Sequence, residues 1–268
     1  MPVQTTYATK PASRAAGMVA NAFGPPQYVS RPLSTRQLEE ITFGDDGGAE
    51  LYTVTIDGVE VANYTSTGTN TATQLRDEIY NDLVAAGIVT EQVSTDKLLI
   101  EAPGDDAADD FTIALSAVSG TFSKTQLVAH GQEVPFGLGL VRDDRAPSGG
   151  PRKCRLPRLA TDVTGGLFLG VAAQNVMREP NVNGWPHQSM PNILRVGHIY
   201  VVVEAPAAGA GTEGKNLFMR HASGAGGTQL GAFREDADSA SAVAVPGLRA
   251  MEDWTAAGTV LAEFIPQT

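Results

Sequence analysis

The sequence predicts a mainly β fold: a β-barrel or sandwich body with an inserted small α+β (ββαββ) domain and an extended N-terminal arm. Three observations predict it. First, charged residues make up only 18% of the 268-residue chain, against roughly 25% in ordinary soluble domains, while glycine (29) and proline (16) are plentiful. Low charge with many turn formers favours short strands and loops over long Glu- and Lys-rich surface helices. Second, from about residue 130 onward short apolar runs alternate with Gly and Pro at the spacing of a barrel or sandwich. Third, the sign of the charge changes along the chain. Residues 1–38 hold Lys10, Arg14, Arg31 and Arg36 and no acid, whereas Arg76 and Lys97 are the only bases in the acidic stretch from about 45 to 120.

The arm comes first. Pro2, Pro11, Pro25, Pro26 and Pro32 exclude a long helix, because proline lacks the backbone donor and clashes with the preceding turn. A base-only, weakly periodic segment gains stability by lying on another surface. Arg14, Met18, Val19, Phe23, Tyr28, Arg31 and Arg36 are therefore the expected contacts to a partner or a neighbouring copy. An arm folded back on its own body is the alternative.

The expected domain limits are 1–44 for the arm and the start of the body, 45–127 for the insertion, and 128–268 for the body. In the insertion, Leu51-Tyr-Thr-Val-Thr-Ile56 alternates with period two. Asp57-Gly58 is the turn pair of a type I′ hairpin, and Val59 to Tyr64 is its return strand. Thr71 three residues before Gln74 marks a capping box. Leu75, Ile79, Leu83 and Ala86 then share a helical face, and Gly87 stops the helix. Lys97–Glu101 and Phe111–Leu115 read as two more strands. In the body, strands are expected within 137–141, 166–172, 197–203, 216–219, 229–233 and 259–264.

Chemistry is sparse. His130, His187, His198 and His221 form no pair at metal-ligand spacing, and no nucleophile elbow, Walker A loop or dinucleotide fingerprint occurs. The glycines at 224–227 lead into a strand pattern, whereas a phosphate cradle leads into a helix. Asp105, Asp106, Asp109 and Asp110 lack the Gly and Glu of a calcium loop and read as a solvated turn. Cys154 is the only cysteine and reads as a buried small hydrophobe. No catalytic, metal or cofactor-binding residue is expected, and no cofactor. The net charge of −11 argues against nucleic acid as a partner. No window reaches the ~20 apolar residues of a membrane span, and the N-terminus lacks the apolar core of a signal peptide, so synthesis in the cytoplasm is expected.

The order of motifs in the second half resembles phage head-decoration proteins, the structural cement proteins. The string runs from Val134-Pro-Phe-Gly137 and Gly139-Leu-Val-Arg142 through Cys154-Arg-Leu-Pro157 and Phe168-Leu-Gly-Val-Ala172. It continues to Asn192–Val201 and the Pro246-Gly-Leu-Arg249 region, and Gly17-Met-Val-Ala20 fits the opening segment. Residues 50–116 resemble small α+β domains inserted in phage tail and head proteins, and ordinary cement proteins lack such an insert. The resemblance implies a non-enzymatic virion protein on the outer surface of the capsid. Its partners would be the major capsid protein and further copies of itself, as a dimer or trimer. A tail or baseplate component, or a receptor- or glycan-binding virion module, is the alternative, and a glycan hydrolase on the particle surface a more distant one.

Overall fold

The computed structural model describes residues 16–17, 19, 26–104, 106–117, 122–143, 153–174, 183–207, 209–224 and 227–265. Strands hold 46% of the chain and helices 10%, so the fold is mainly β as the composition predicts. After β1 (Gln27–Ser30) come β2 (Leu38–Phe43), β3 (Leu51–Ile56), β4 (Val59–Thr65), helix α1 (Ala72–Ala85), β5 (Thr90–Ser94), β6 (Lys97–Glu101), β7 (Ile113–Ser116) and β8 (Phe122–Val128). They form two sheets, ordered β4-β3-β7 and β5-β6-β2-β8.

The β3–β4 hairpin turns at Asp57 and Gly58, both at positive φ (50° and 79°), the backbone a type I′ turn requires. Thr71 and Gln74 form the reciprocal capping box, and Leu75, Ile79 and Leu83 are fully buried. Ala86, expected on that face, is instead the exposed C-cap, because the helix ends one residue earlier. The strand expected at 111–115 starts at Ile113. The N–H groups before it are bound by side chains: Phe111 N–H donates to Gln37 Oε1 (2.8 Å) and Thr112 N–H to Asp57 Oδ1 (2.8 Å). The acidic turn is a 3₁₀ turn, Ala107–Asp109, closed by the Asp106 N–H donating to Asp109 Oδ2 at 3.2 Å.

Sheet β5-β6-β2-β8 is covered on both faces. One face, with Ile41, Phe43, Leu98 and Ile100, packs against α1 and against Tyr52 and Val54 of β3. The other, with Leu38, Leu99, Leu127 and Val128, joins a core that also contains Leu33, Phe136, Leu140, Leu156 and Trp185. Two apolar faces explain why Leu98-Leu99-Ile100 does not alternate. β2 falls in the segment assigned to the start of the body, yet its hydrogen-bonding partners are β6 and β8.

The remaining strands are β9 (Val134–Pro135), β10 (Gly139–Arg142), β11 (Cys154–Arg155), β12 (Phe168–Ala173), β13 (Gly184–Trp185), β14 (Asn192–Val203), β15 (Asn216–Arg220), β16 (Phe233–Arg234), β17 (Ala242–Ala250) and β18 (Gly258–Phe264). A short helix α2 (Ala160–Thr164) lies between β11 and β12. In the order β14-β16-β15-β17-β18, with β18 returning to β14, five strands close a barrel. Ile199, Val201 and Val203, Leu217 and Met219, and Val260, Ala262 and Phe264 line its interior at every second position. The strand expected over 229–233 shrinks to Phe233–Arg234, because Gly231 turns at positive φ (80°).

The 12-residue β14 is the spine. Its first half lies between β1 and β12, and its second half pairs with β18 within the barrel. Gly197, at φ 123°, sits where the strand passes from one sheet to the other. At one end of the barrel Arg220 and Arg234, both almost fully buried, are held by carboxylates. Arg220 donates to Glu204 (2.5 and 2.6 Å) and Asp238 (2.7 Å), and Arg234 to Glu204 (2.9 Å) and Asp236 (2.7 Å).

Candidate interaction surface

The described part of the arm follows β14. The Gly17 N–H donates to Tyr200 O (2.6 Å), and Gly17 O accepts from Gln174 N–H (2.8 Å). Val19 bridges Ile199, and β1 continues antiparallel from Gln27 opposite Val196 to Ser30 opposite Asn192. Gly17 has a physical reason to be glycine. Its φ is 73°, and a Cβ there would lie 2.6 Å from the Phe136 Cβ and 2.7 Å from Ala172 O. After β1, Leu33 is tied to the body by its N–H donating to Ser189 O (2.8 Å) and its carbonyl accepting from Gln188 N–H (2.9 Å).

The structure does not gather the seven arm residues into one patch. Arg14, Met18 and Phe23 lie outside the described residues. Val19 packs half-buried against the barrel core, while Tyr28 on β1 is 47% exposed. Arg31 receives the Cys154 Sγ–H on its carbonyl oxygen at 3.5 Å. Arg36 lies 3.9 Å from Glu101. Tyr28 is thus the arm residue presented to solvent on a strand, and the two described arginines lie inward.

Where the arm, sheet β5-β6-β2-β8 and the body meet, charges are buried that no local sequence pattern announced. Arg158 makes a two-pronged ion pair with Glu101 of β6, and Arg155 makes another with Asp162 (2.8 Å for each prong). Burial opposes ionisation of Asp162. The Arg155 guanidinium and the N–H groups of Arg158 and Leu159 outweigh it and hold the carboxyl below the usual range. A second tie joins Lys97 to Glu40 at 3.1 Å and to Ser223 Oγ at 2.8 Å, and Ser223 in turn donates to Glu40.

Of the two bases in the acidic stretch, Arg76 is used inside it, on Asp77 (2.5 Å) and the Ser94 carbonyl, while Lys97 reaches out of it to Glu40 and Ser223. Residues 45–110 carry fifteen acids against these two bases.

The fold also brings together two histidines far apart in sequence. The rings of His130 and His187 are 5.2 Å apart. His187 Nδ1 accepts from the Thr35 N–H (3.0 Å), which places the ring proton on Nε2 and leaves no free lone pair for a metal. Among the described residues no group of three or more His, Cys, Asp or Glu could hold a metal ion. No described helix is long and apolar enough to cross a membrane. Burial pushes the Cys154 thiol up to about 12, so at neutral pH it is an unreactive packing group.

The arrangement is therefore rich in buried structural ion pairs. Comparison with known proteins identifies it. No curated protein matches the chain. A family model described as structural cement protein (E217 gp24/Pam3 gp6) matches residues 111–264, from the last strands of the layered sheets to the end of β18. That span is more than half of the chain and contains the whole barrel and the strands β9 to β13, so the chain belongs to the phage structural cement protein family, whose role in the virion is structural.

Proposed function

We propose that this chain decorates the outside of a phage head without catalysing a reaction, bound to the major capsid protein through its β body and arm. On this reading residues 45–127, together with β2, form a module carried on the far side from the shell. The family match across residues 111–264 is the observation that carries the proposal. The distribution of charge supports it. Fifteen of the thirty acids fall between residues 45 and 110, and the first 38 residues have none. An anionic outer face is well hydrated and repels neighbouring particles, while the acid-free segment is left to meet the lattice. β1 is a short strand with an exposed tyrosine, which suits strand addition and aromatic anchoring. Weak contacts of this kind, repeated in a symmetric oligomer on a symmetric shell, multiply by avidity. The protein would be made in the host cytoplasm and act on the virion.

Co-sedimentation with expanded, undecorated capsids tests the proposal. The full chain is expected to pellet with capsids and to saturate. Tyr28→Asp is expected to weaken binding at least tenfold while leaving the barrel folded. Gly17→Val, which drives a side chain into Phe136 and Ala172, is expected to release the start of the arm and weaken binding similarly. A folded wild-type chain that ignores capsids, or that pellets with tails instead, would overturn the reading.

A further inference from the structure

The His130–His187 pair lies where three parts of the chain meet. His130 follows β8, His187 lies in the loop after β13, and Thr35 belongs to the segment between β1 and β2. Thr35 is 2% exposed and acts as the clasp. Its N–H donates to His187 Nδ1 (3.0 Å), its Oγ1 lies 2.9 Å from the same nitrogen, and its carbonyl accepts from Gly131 N–H (3.1 Å). One residue of the arm segment thus holds both histidine-bearing loops. From the geometry we infer that this pair is an acid-operated latch, closed at neutral pH and opened on acidification, which controls how firmly the arm segment and the layered module are clamped to the β body.

The physical argument runs through one lone pair. While His187 is neutral its Nδ1 accepts the Thr35 N–H. A proton on Nδ1 turns the acceptor into a donor, and the Thr35 amide loses its partner in a buried place. The new charge would also face His130, with Lys153 and Arg36 beyond it and Asp106 as the opposing carboxylate. Asp110 Oδ1 lies 3.0 Å from His130 Nδ1, a contact without hydrogen-bond aim. Burial first, and then the neighbouring cations, push the His187 pKa below the usual imidazole value.

The sign follows. A histidine whose folded pKa is depressed leaves the closed form fully favoured above the free-imidazole pKa of about 6.5 and progressively disfavours it below. The free-imidazole value sets the ceiling: between pH 7.5 and pH 5 the open population rises by at most about thirtyfold.

Amide hydrogen exchange on the full chain tests this, with mass spectrometry of peptides covering 33–36 and 183–189 at pH 7.5 and 5.0, corrected for intrinsic rates. Peptides from β18 serve as the control for global unfolding. They matter because His221, 2% exposed and likewise kept neutral by burial, adds a global acid sensitivity. Wild-type protein is expected to show a reversible increase confined to the two junction peptides. His187→Gln keeps an acceptor for Thr35 but cannot titrate, and is expected to abolish the increase. His130→Gln keeps the Thr35 bond, relieves the repulsion, and is expected to shrink the increase. His221→Gln is expected to leave it unchanged. Junction exchange that does not respond to pH, or a response that persists undiminished in His187→Gln, would overturn the latch.

Discussion

Replacing Arg220 with methionine is expected to lower the unfolding free energy by about 3–5 kcal/mol, the cost of breaking a buried ion pair by removing one partner. The Arg220 side chain has no exposure, and the side chains of Glu204 and Asp238 are 9% and 7% exposed. Two arginines face Glu204, Asp236 and Asp238 at this end of the barrel. Without Arg220, Arg234 alone is left against three carboxylates. The methionine fills similar space, so the loss reports charge and hydrogen bonding more than volume. Arg220→Lys keeps the charge but not the fork that grips both Glu204 oxygens, and should fall between the two. Urea unfolding of the three proteins measures the series. A loss below about 1 kcal/mol would mean that the network relaxes or hydrates, as exposed pairs do.

The second large effect is expected at the junction. Arg158→Ala should cost about 3–5 kcal/mol for the same reason, since both Arg158 and Glu101 are about 5% exposed. Glu101→Ala alone should cost a comparable amount. The double variant should be less destabilised than the sum, with a coupling of about 1–3 kcal/mol. This cycle also bears on the module's independence. β6 carries Glu101, supplies Leu99 to the core shared with the body, and supplies Leu98 and Ile100 to the core beneath α1. Cutting the chain at residues 48 and 120 would remove β6 and expose β2 and β8. The contribution of the acidic face is therefore better probed by neutralising exposed residues such as Glu60 and Glu78. That change should alter the salt dependence of particle association and leave the melting temperature nearly unchanged.

How legible the fold was depends on how local each signal is. The hairpin turn at Asp57-Gly58, the Thr71 cap and the Leu75–Leu83 face all rest on residues within a few positions of one another, and all are present. β2 is different. Leu38-Glu-Glu-Ile-Thr-Phe43 reads as half polar, yet Glu40 is fully buried because Lys97 and Ser223, from distant parts of the chain, neutralise it. β17, for which no strand was expected, contains Pro246 and Gly247; they sit in the strand where Gly247 takes a positive φ of 77°. Without β17 the closure of the barrel could not be seen, and closure is what the chain's many short strands serve. The body strands at Phe168–Ala173 and Gly258–Phe264 were visible because each buries alternating or continuous apolar residues.

The candidate surface was legible only in its charge. An acid-free arm and an acid-rich middle can be counted from the sequence, and Gly17 could be matched to a family motif. Its reason, a positive φ pressed against Phe136 and Ala172, needed the packing. Arg31 and Arg36 were expected on a partner surface by charge alone. A basic side chain finds a carboxylate wherever the fold places one, and Arg36 lies beside Glu101. The same holds for the histidines. Spacing in sequence excluded a metal site, and only the junction of three segments sets His130 beside His187.

Electron cryomicroscopy of expanded capsids saturated with the purified full chain tests the central claim most directly. The account predicts ordered density on the outer shell, with β1 and the start of the arm against the lattice and the Asp57 and Asp109 edge of the layered sheets farthest from it. Capsids without added density, or density in which the acidic sheets lie against the shell and β1 points outward, would contradict it.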